Sequence, residues 1–111
     1  MSSSDLSWVS ICKESDITPD TGICALLNDK QVAIFKDRVS NGLFAIDNYD
    51  PIGKANVLSR GILGSIGEKI VVASPLYKQH FCLETGQCLE EDCSVATYQV
   101  RVHDGEVQLS P

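Results

Sequence analysis

The sequence predicts an all-β fold, a sandwich or barrel of short antiparallel strands. Three observations lead there. Apolar or alternating runs of strand length recur along the chain, no stretch sustains a helical hydrophobic period, and turn-forming Gly, Asn, Asp and Pro separate the runs at regular spacing.

Taken in order, residues 1–6 read as a frayed terminus. Trp8-Val9-Ser10-Ile11-Cys12 is a first strand, with Trp8, Ser10 and Cys12 on one face and Val9 and Ile11 on the other. A polar segment follows, with turn chemistry at Pro19-Asp20-Thr21-Gly22. Residues 23–27 and 31–36 flank Asn28-Asp29-Lys30, a hairpin signal. Ser40-Asn41-Gly42 then turns the chain into a strand over 43–46. From Asp47 to Gly67 the character changes: Pro51, Gly53, Gly61, Gly64 and Gly67 predict an irregular stretch with apolar islands only at Val57-Leu58 and Ile62-Leu63. Irregular segments of that length in a small domain are usually functional. Lys69-Ile70-Val71-Val72-Ala73 is nearly all apolar and β-branched, hence a central strand. After Ser74-Pro75 a hairpin turns at Thr85-Gly86, and its expected register sets Cys88 opposite Leu83. Tyr98-Gln99-Val100-Arg101-Val102 alternates and pairs through His103-Asp104-Gly105 with residues 106–109.

Composition narrows the function. A chain of 111 residues makes one domain, and a hydrophobic fraction of 43% supplies a core. A net charge of −6 argues against nucleic acid or an anionic membrane as partner. No apolar run reaches membrane-spanning length, and the polar start Met1-Ser2-Ser3-Ser4-Asp5 lacks the pattern of a secretion signal. A cytoplasmic location is therefore expected, with Cys12, Cys24, Cys82, Cys88 and Cys93 reduced. His80, Cys82, Cys88 and Cys93 lie close together, but their spacing matches no zinc motif. Alternation puts Phe81 and Leu83 toward the core and leaves His80 and Cys82 near the surface. His103 reads as a solvated turn residue, and no glycine-rich phosphate loop opens a helix. No catalytic, cofactor-binding or metal site is expected in this chain.

One stretch carries a more specific signal. Residues 71–89 run from a buried strand through Ser74-Pro75, past Tyr77, to Phe81 and a turn at Thr85-Gly86. This resembles the second cluster-binding loop of Rieske ferredoxins, where Cys-Pro-x-His-Gly precedes a Phe and a Thr-Gly hairpin. Ser74 stands at the cysteine position and Tyr77 at the histidine position. Anchored on Leu58, the first ligand loop places Pro51 at its cysteine and Gly53 at its histidine. A [2Fe–2S] centre of this kind needs two thiolates and two imidazoles. The phrases Val57-Leu58-Ser59-Arg60-Gly61 and Ser74-Pro75-Leu76-Tyr77-Lys78-Gln79, with others along the whole length, are similar to the small subunits of assimilatory NAD(P)H-dependent nitrite reductases.

That resemblance implies a Rieske-like fold without its cluster: a base of antiparallel strands from 1–46 and 90–111, and an inserted smaller lobe over 47–89. It implies a cofactor-free partner of a large subunit that holds FAD, sirohaem and a [4Fe–4S] cluster and reduces nitrite to ammonium. Lys54, Arg60, Lys69 and Lys78 place four of the nine basic residues in the lobe of an acidic chain. The former cluster tip, with Pro51, Lys54, Tyr77, Lys78 and Gln79, is the expected docking surface. The alternative is a free-standing Rieske-like binding module of another oxidoreductase or oxygenase system.

Overall fold

The computed structural model describes residues 8–40 and 42–110. The terminus expected to fray, and Asn41 within the turn expected at 40–42, lie outside the described residues. The strands, in chain order, are β1 (Val9–Lys13), β2 (Gly22–Leu27), β3 (Lys30–Lys36), β4 (Leu43–Asp47), β5 (Tyr49–Asp50), β6 (Ala55–Asn56), β7 (Ile62–Ile66), β8 (Lys69–Ala73), β9 (His80–Cys82), β10 (Thr97–His103) and β11 (Glu106–Ser110). Two short 3-10 turns, Glu14–Asp16 and Leu58–Arg60, are the helical content of the described residues. All strand pairings are antiparallel. The main sheet runs β1-β11-β10-β4-β3-β2, and two smaller sheets, β5-β6 and β7-β8-β9, come from the middle of the chain. The expected all-β architecture is thus observed.

Two hairpins follow directly from local chemistry. Leu27 faces Lys30 across Asn28 and Asp29, whose φ values of 51° and 68° make the turn left-handed at both central positions. His103 faces Glu106 across Asp104 and Gly105 in the same way, with φ of 54° and 78°. Asn, Asp and Gly tolerate that conformation, and its twist matches the flanking strands.

The core lies on both sides of β3. Val32-Ala33-Ile34-Phe35 is wholly buried, and strand alternation divides it. Val32 and Ile34 pack with Ile17, Leu27, Ala45, Val107 and Leu109. Ala33 and Phe35 pack the other way, with Ile46, Leu58, Val72, Phe81 and Leu83. A strand covered on both faces reads as a continuous apolar run, as this one does.

Four expectations are corrected. Residues 62–66, of which only Ile62-Leu63 read as an apolar island in an irregular stretch, form β7 along the edge of β8. Gly64, Ser65 and Gly67 hide this strand from propensity, and Gly67, at φ 63°, makes its turn. In β1 a register shift between Ser10 and Cys12 breaks strict alternation, so Ile11 and Cys12 both lean on the core. In the hairpin after β9, Cys88 faces Phe81 instead of Leu83, and Cys82 is buried instead of superficial. The turn takes up Leu83 to Gly86, with the Gly86 N–H donating to the Cys82 carbonyl at 2.7 Å.

Asn48 joins the middle segment to the main sheet. It is buried, and its amide nitrogen donates to Gln31 Oε1 at 3.0 Å while its side-chain oxygen accepts the Ser59 N–H at 2.7 Å. Its backbone N–H donates to the Gln31 carbonyl, and its own carbonyl accepts from Leu58. Every polar group of this buried amide is occupied in fixing the approach to the tip.

Candidate functional site

The tip consists of two loops built to the same plan. One is Asp50-Pro51-Ile52-Gly53-Lys54, the other Ser74-Pro75-Leu76-Tyr77-Lys78. In each, the first side chain accepts the backbone N–H two residues on: Ile52 N to Asp50 Oδ1 at 2.8 Å, and Leu76 N to Ser74 Oγ at 3.3 Å. In each, the first carbonyl accepts the N–H of the lysine, at 2.6 Å for Lys54 and 3.1 Å for Lys78. Each loop ends with that lysine in the left-handed region, at φ 58° and 66°. Proline after the first residue favours this turn because its fixed φ suits it and its missing N–H needs no partner.

The loops are fastened to each other. Asp50 and Ser74 are completely buried, and the Ser74 hydroxyl donates to Asp50 Oδ2 at 2.5 Å. Asp50 Oδ1 also accepts the Gly53 N–H at 3.1 Å. Hydrogen bonds to a carboxylate contribute about 1.5–3 kcal/mol each, roughly twice a neutral one. This buried knot therefore fixes the relative position of the two loops. Within the pair of loops, Asp50 corresponds in its hydrogen bonding to Ser74, and Pro51 to Pro75. The signal was present in the paired phrases Asp-Pro-Ile-Gly-Lys and Ser-Pro-Leu-Tyr-Lys, and Asp50 was missed because Asp before Pro reads as an ordinary turn.

These residues do not fit a two-iron cluster. A side chain on Gly53 would run into Leu76 Cδ1, so the space between the loops is filled by leucine. Asp50 and Ser74 are engaged with one another, and Tyr77 points away, 63% exposed. No group of three or more His, Cys, Asp or Glu side chains suited to a metal ion occurs among the described residues.

The residues expected to dock a partner are placed as follows. Tyr77, Lys54 and Lys78 are exposed, while Pro51 and Gln79 are half-buried. Leu76 is 44% exposed beside Tyr77, giving an apolar crest with a lysine at the end of each loop. Gln79 Oε1 is buried without a hydrogen-bond partner. Arg60 and Lys69 are exposed as well, on the 3-10 turn and on β8. A separate cleft of about 380 Å³, lined by Asp20, Asp37, Val39, Ser40, Leu63 and Ile70, shares no residue with the tip.

The constellation around β9 separates into two parts. His80 Nδ1 lies 2.6 Å from Glu90 Oε2, and the His80 N–H donates to Glu90 Oε1 at 2.7 Å. That amide first, and then the ring, hold the Glu90 carboxyl below its usual range. Cys82 lies on the turn side, where the Thr85 hydroxyl and the Thr85 and Glu84 amides outweigh burial and lower its thiol pKa. Cys88 and Cys93 pack instead on the core cluster that contains Phe81.

With this geometry in view, three comparisons define the relatives. The model of the Rieske-like [2Fe-2S] domain matches residues 7–110. The nitrite reductase (NADH) small subunit of Escherichia coli K12 is 52% identical over 92% of this chain and 95% of its own length. The solution structure of the E. coli protein NirD superposes with a TM-score of 0.86 at 50% identity, over 94% of this chain and 96% of that one. A nitrite reductase [NAD(P)H] large subunit from Klebsiella oxytoca is 42% identical over 90% of this chain, which corresponds to only 10% of that longer protein.

Proposed function

This chain belongs to the Rieske-like [2Fe-2S] domain family, among the small subunits of nitrite reductase, and from that premise we propose that it is a cluster-free subunit whose paired tip loops dock on the large subunit. The observation that carries the reading is the Klebsiella large subunit, in which a domain of this kind is part of the same polypeptide. Covalent linkage there gives the two parts a high effective concentration. Where the domain is a separate chain, a non-covalent contact must take its place.

The tip supports that role chemically. It presents Leu76 and Tyr77 with Lys54 and Lys78, and aromatic anchors beside cations are typical of interface hot spots. Both lysines occupy a backbone conformation that costs a non-glycine residue about 1–2 kcal/mol. Strain of that kind gathers at functional sites, where the side chain is retained for what it meets. The large subunit supplies flavin, sirohaem and iron–sulfur chemistry, and this chain supplies a rigid contact surface in the cytoplasm. Nitrite assimilation to ammonium is the resulting activity of the complex.

Two measurements test this. Tyr77→Ala with Lys78→Glu should weaken binding of the full chain to its large subunit at least ~10-fold, equivalent to about 1.4 kcal/mol. Val39→Glu, at a fully exposed position outside the tip, should leave binding unchanged. Equal affinity of the tip variant and the native chain would move the interface elsewhere. The chain purified alone should be colourless with substoichiometric iron; a stoichiometric two-iron chromophore would refute the cluster-free assignment.

A further inference from the structure

Cys88 and Cys93 are cross-strand partners. Gln87 pairs with Ser94, and the next step of that ladder has the Cys88 N–H donating to the Cys93 carbonyl at 3.0 Å. On the other side of the pair, the Val95 N–H donates to the Gly86 carbonyl at 2.8 Å. Cys88 and Cys93 therefore face each other one step beyond the Gln87–Ser94 bridge, joined by one backbone hydrogen bond, and residues opposed at such a step have Cα atoms about 5.5 Å apart. A disulfide spans about 4.4–6.8 Å between Cα atoms. Directly opposed residues project to the same face, and both cysteines pack on the cluster that also holds Phe81 and Ile52.

We propose that Cys88 and Cys93 form a reversible dithiol–disulfide pair that closes the loop carrying Glu90. The two sulfurs differ in access: Cys93 is partly exposed and Cys88 is buried beneath it. Cys93 is thus the entry point for a low-molecular-weight disulfide. Its thiolate attacks one sulfur of that disulfide, forming a mixed disulfide and releasing one small thiol. Cys88, having lost its proton to solvent, attacks the Cys93 sulfur and releases the second small thiol. The protein loses two electrons and two protons, and the small disulfide becomes two thiols.

The other cysteines are set apart by geometry. Cys82 is one residue from Phe81, the partner of Cys88, so its side chain points to the opposite face. Cys12 and Cys24 belong to β1 and β2. Burial, followed by Cys88, Glu91 and Asp50, raises the Cys93 thiol pKa, which makes the exchange slow at neutral pH. Glu90, whose Oε1 lies 3.9 Å from Cys88 Sγ, links the pair to His80 on β9. Oxidation would therefore tie together the ladder, the acidic loop and the strand behind the tip.

The test uses the native full-length chain incubated with oxidised glutathione at about pH 8.5, near the free-thiol pKa. Remaining thiols are alkylated, and the protein is cut at glutamate. Cleavage at Glu84, Glu90 and Glu91 separates Cys82, Cys88 and Cys93 onto different peptides. The expected product joins the Cys88 and Cys93 peptides, with Cys12, Cys24 and Cys82 alkylated and the reduced state restored by dithiothreitol. In Cys88→Ala, Cys93 should instead accumulate the glutathione adduct, which fixes the order of attack. Native chain with Cys88 and Cys93 both fully alkylated, or either joined to another cysteine, overturns the proposal. A Cys88→Ala chain without adduct at Cys93 overturns the assigned order.

Discussion

Replacing Gly86 with alanine should destabilise the protein by about 3–4 kcal/mol, measured from the midpoint of urea unfolding. Gly86 has φ 79°, and a Cβ there would overlap the Val95 carbonyl oxygen. The left-handed backbone costs a non-glycine residue about 1–2 kcal/mol. Forcing apart a packed contact costs a further ~1–3 kcal/mol. The obstruction is backbone, so no rotamer relieves it. Gly105 is the control. Its φ of 78° is nearly the same, but nothing lies within 4 Å of its would-be Cβ, so Gly105→Ala should cost only the conformational part. Equal losses at the two sites would show that the close approach of residues 86 and 95 is energetically idle.

Asp50→Ala should cost about 3 kcal/mol and should also weaken large-subunit binding. The substitution removes the acceptor of the Ser74 hydroxyl and of the Ile52 and Gly53 N–H groups. Each buried donor left without a partner costs ~1–3 kcal/mol, and solvent reaching the half-buried amides recovers part of that. Ser74→Ala removes one of these bonds and the acceptor of the Leu76 N–H, which belongs to an exposed residue, and should cost roughly half as much. In a double-mutant cycle the pair should couple by at least ~1 kcal/mol. Additive losses in urea unfolding would mean that the two loops are held by packing alone.

Much of this architecture was legible in the sequence because it rests on local chemistry. Asn28-Asp29 and Asp104-Gly105 dictate their turns whatever surrounds them. The run from 70 to 73 had to be interior, since after Lys69 it has no polar side chain to show solvent. What escaped depends on tertiary context. The β7 strand, with Gly64 and Ser65 inside it, is a strand because β8 supplies its partner. The Phe81–Cys88 register depends on how many residues the turn consumes, which Thr85-Gly86 alone does not fix. The residues proposed for docking were chosen by position in a family pattern. Asp50, which organises them, was overlooked because burial turns an ordinary turn residue into a structural one.

The double-sided burial of β3 has a consequence for how this molecule comes apart. Ala33 and Phe35 stabilise the cluster behind the tip, while Val32 and Ile34 stabilise the one beneath β11. Neither half can lose its packing without exposing a strand the other half needs. Melting is therefore one cooperative event, and the tip cannot loosen as an independent unit. Damage anywhere along that strand reaches the tip loops as loss of the whole fold.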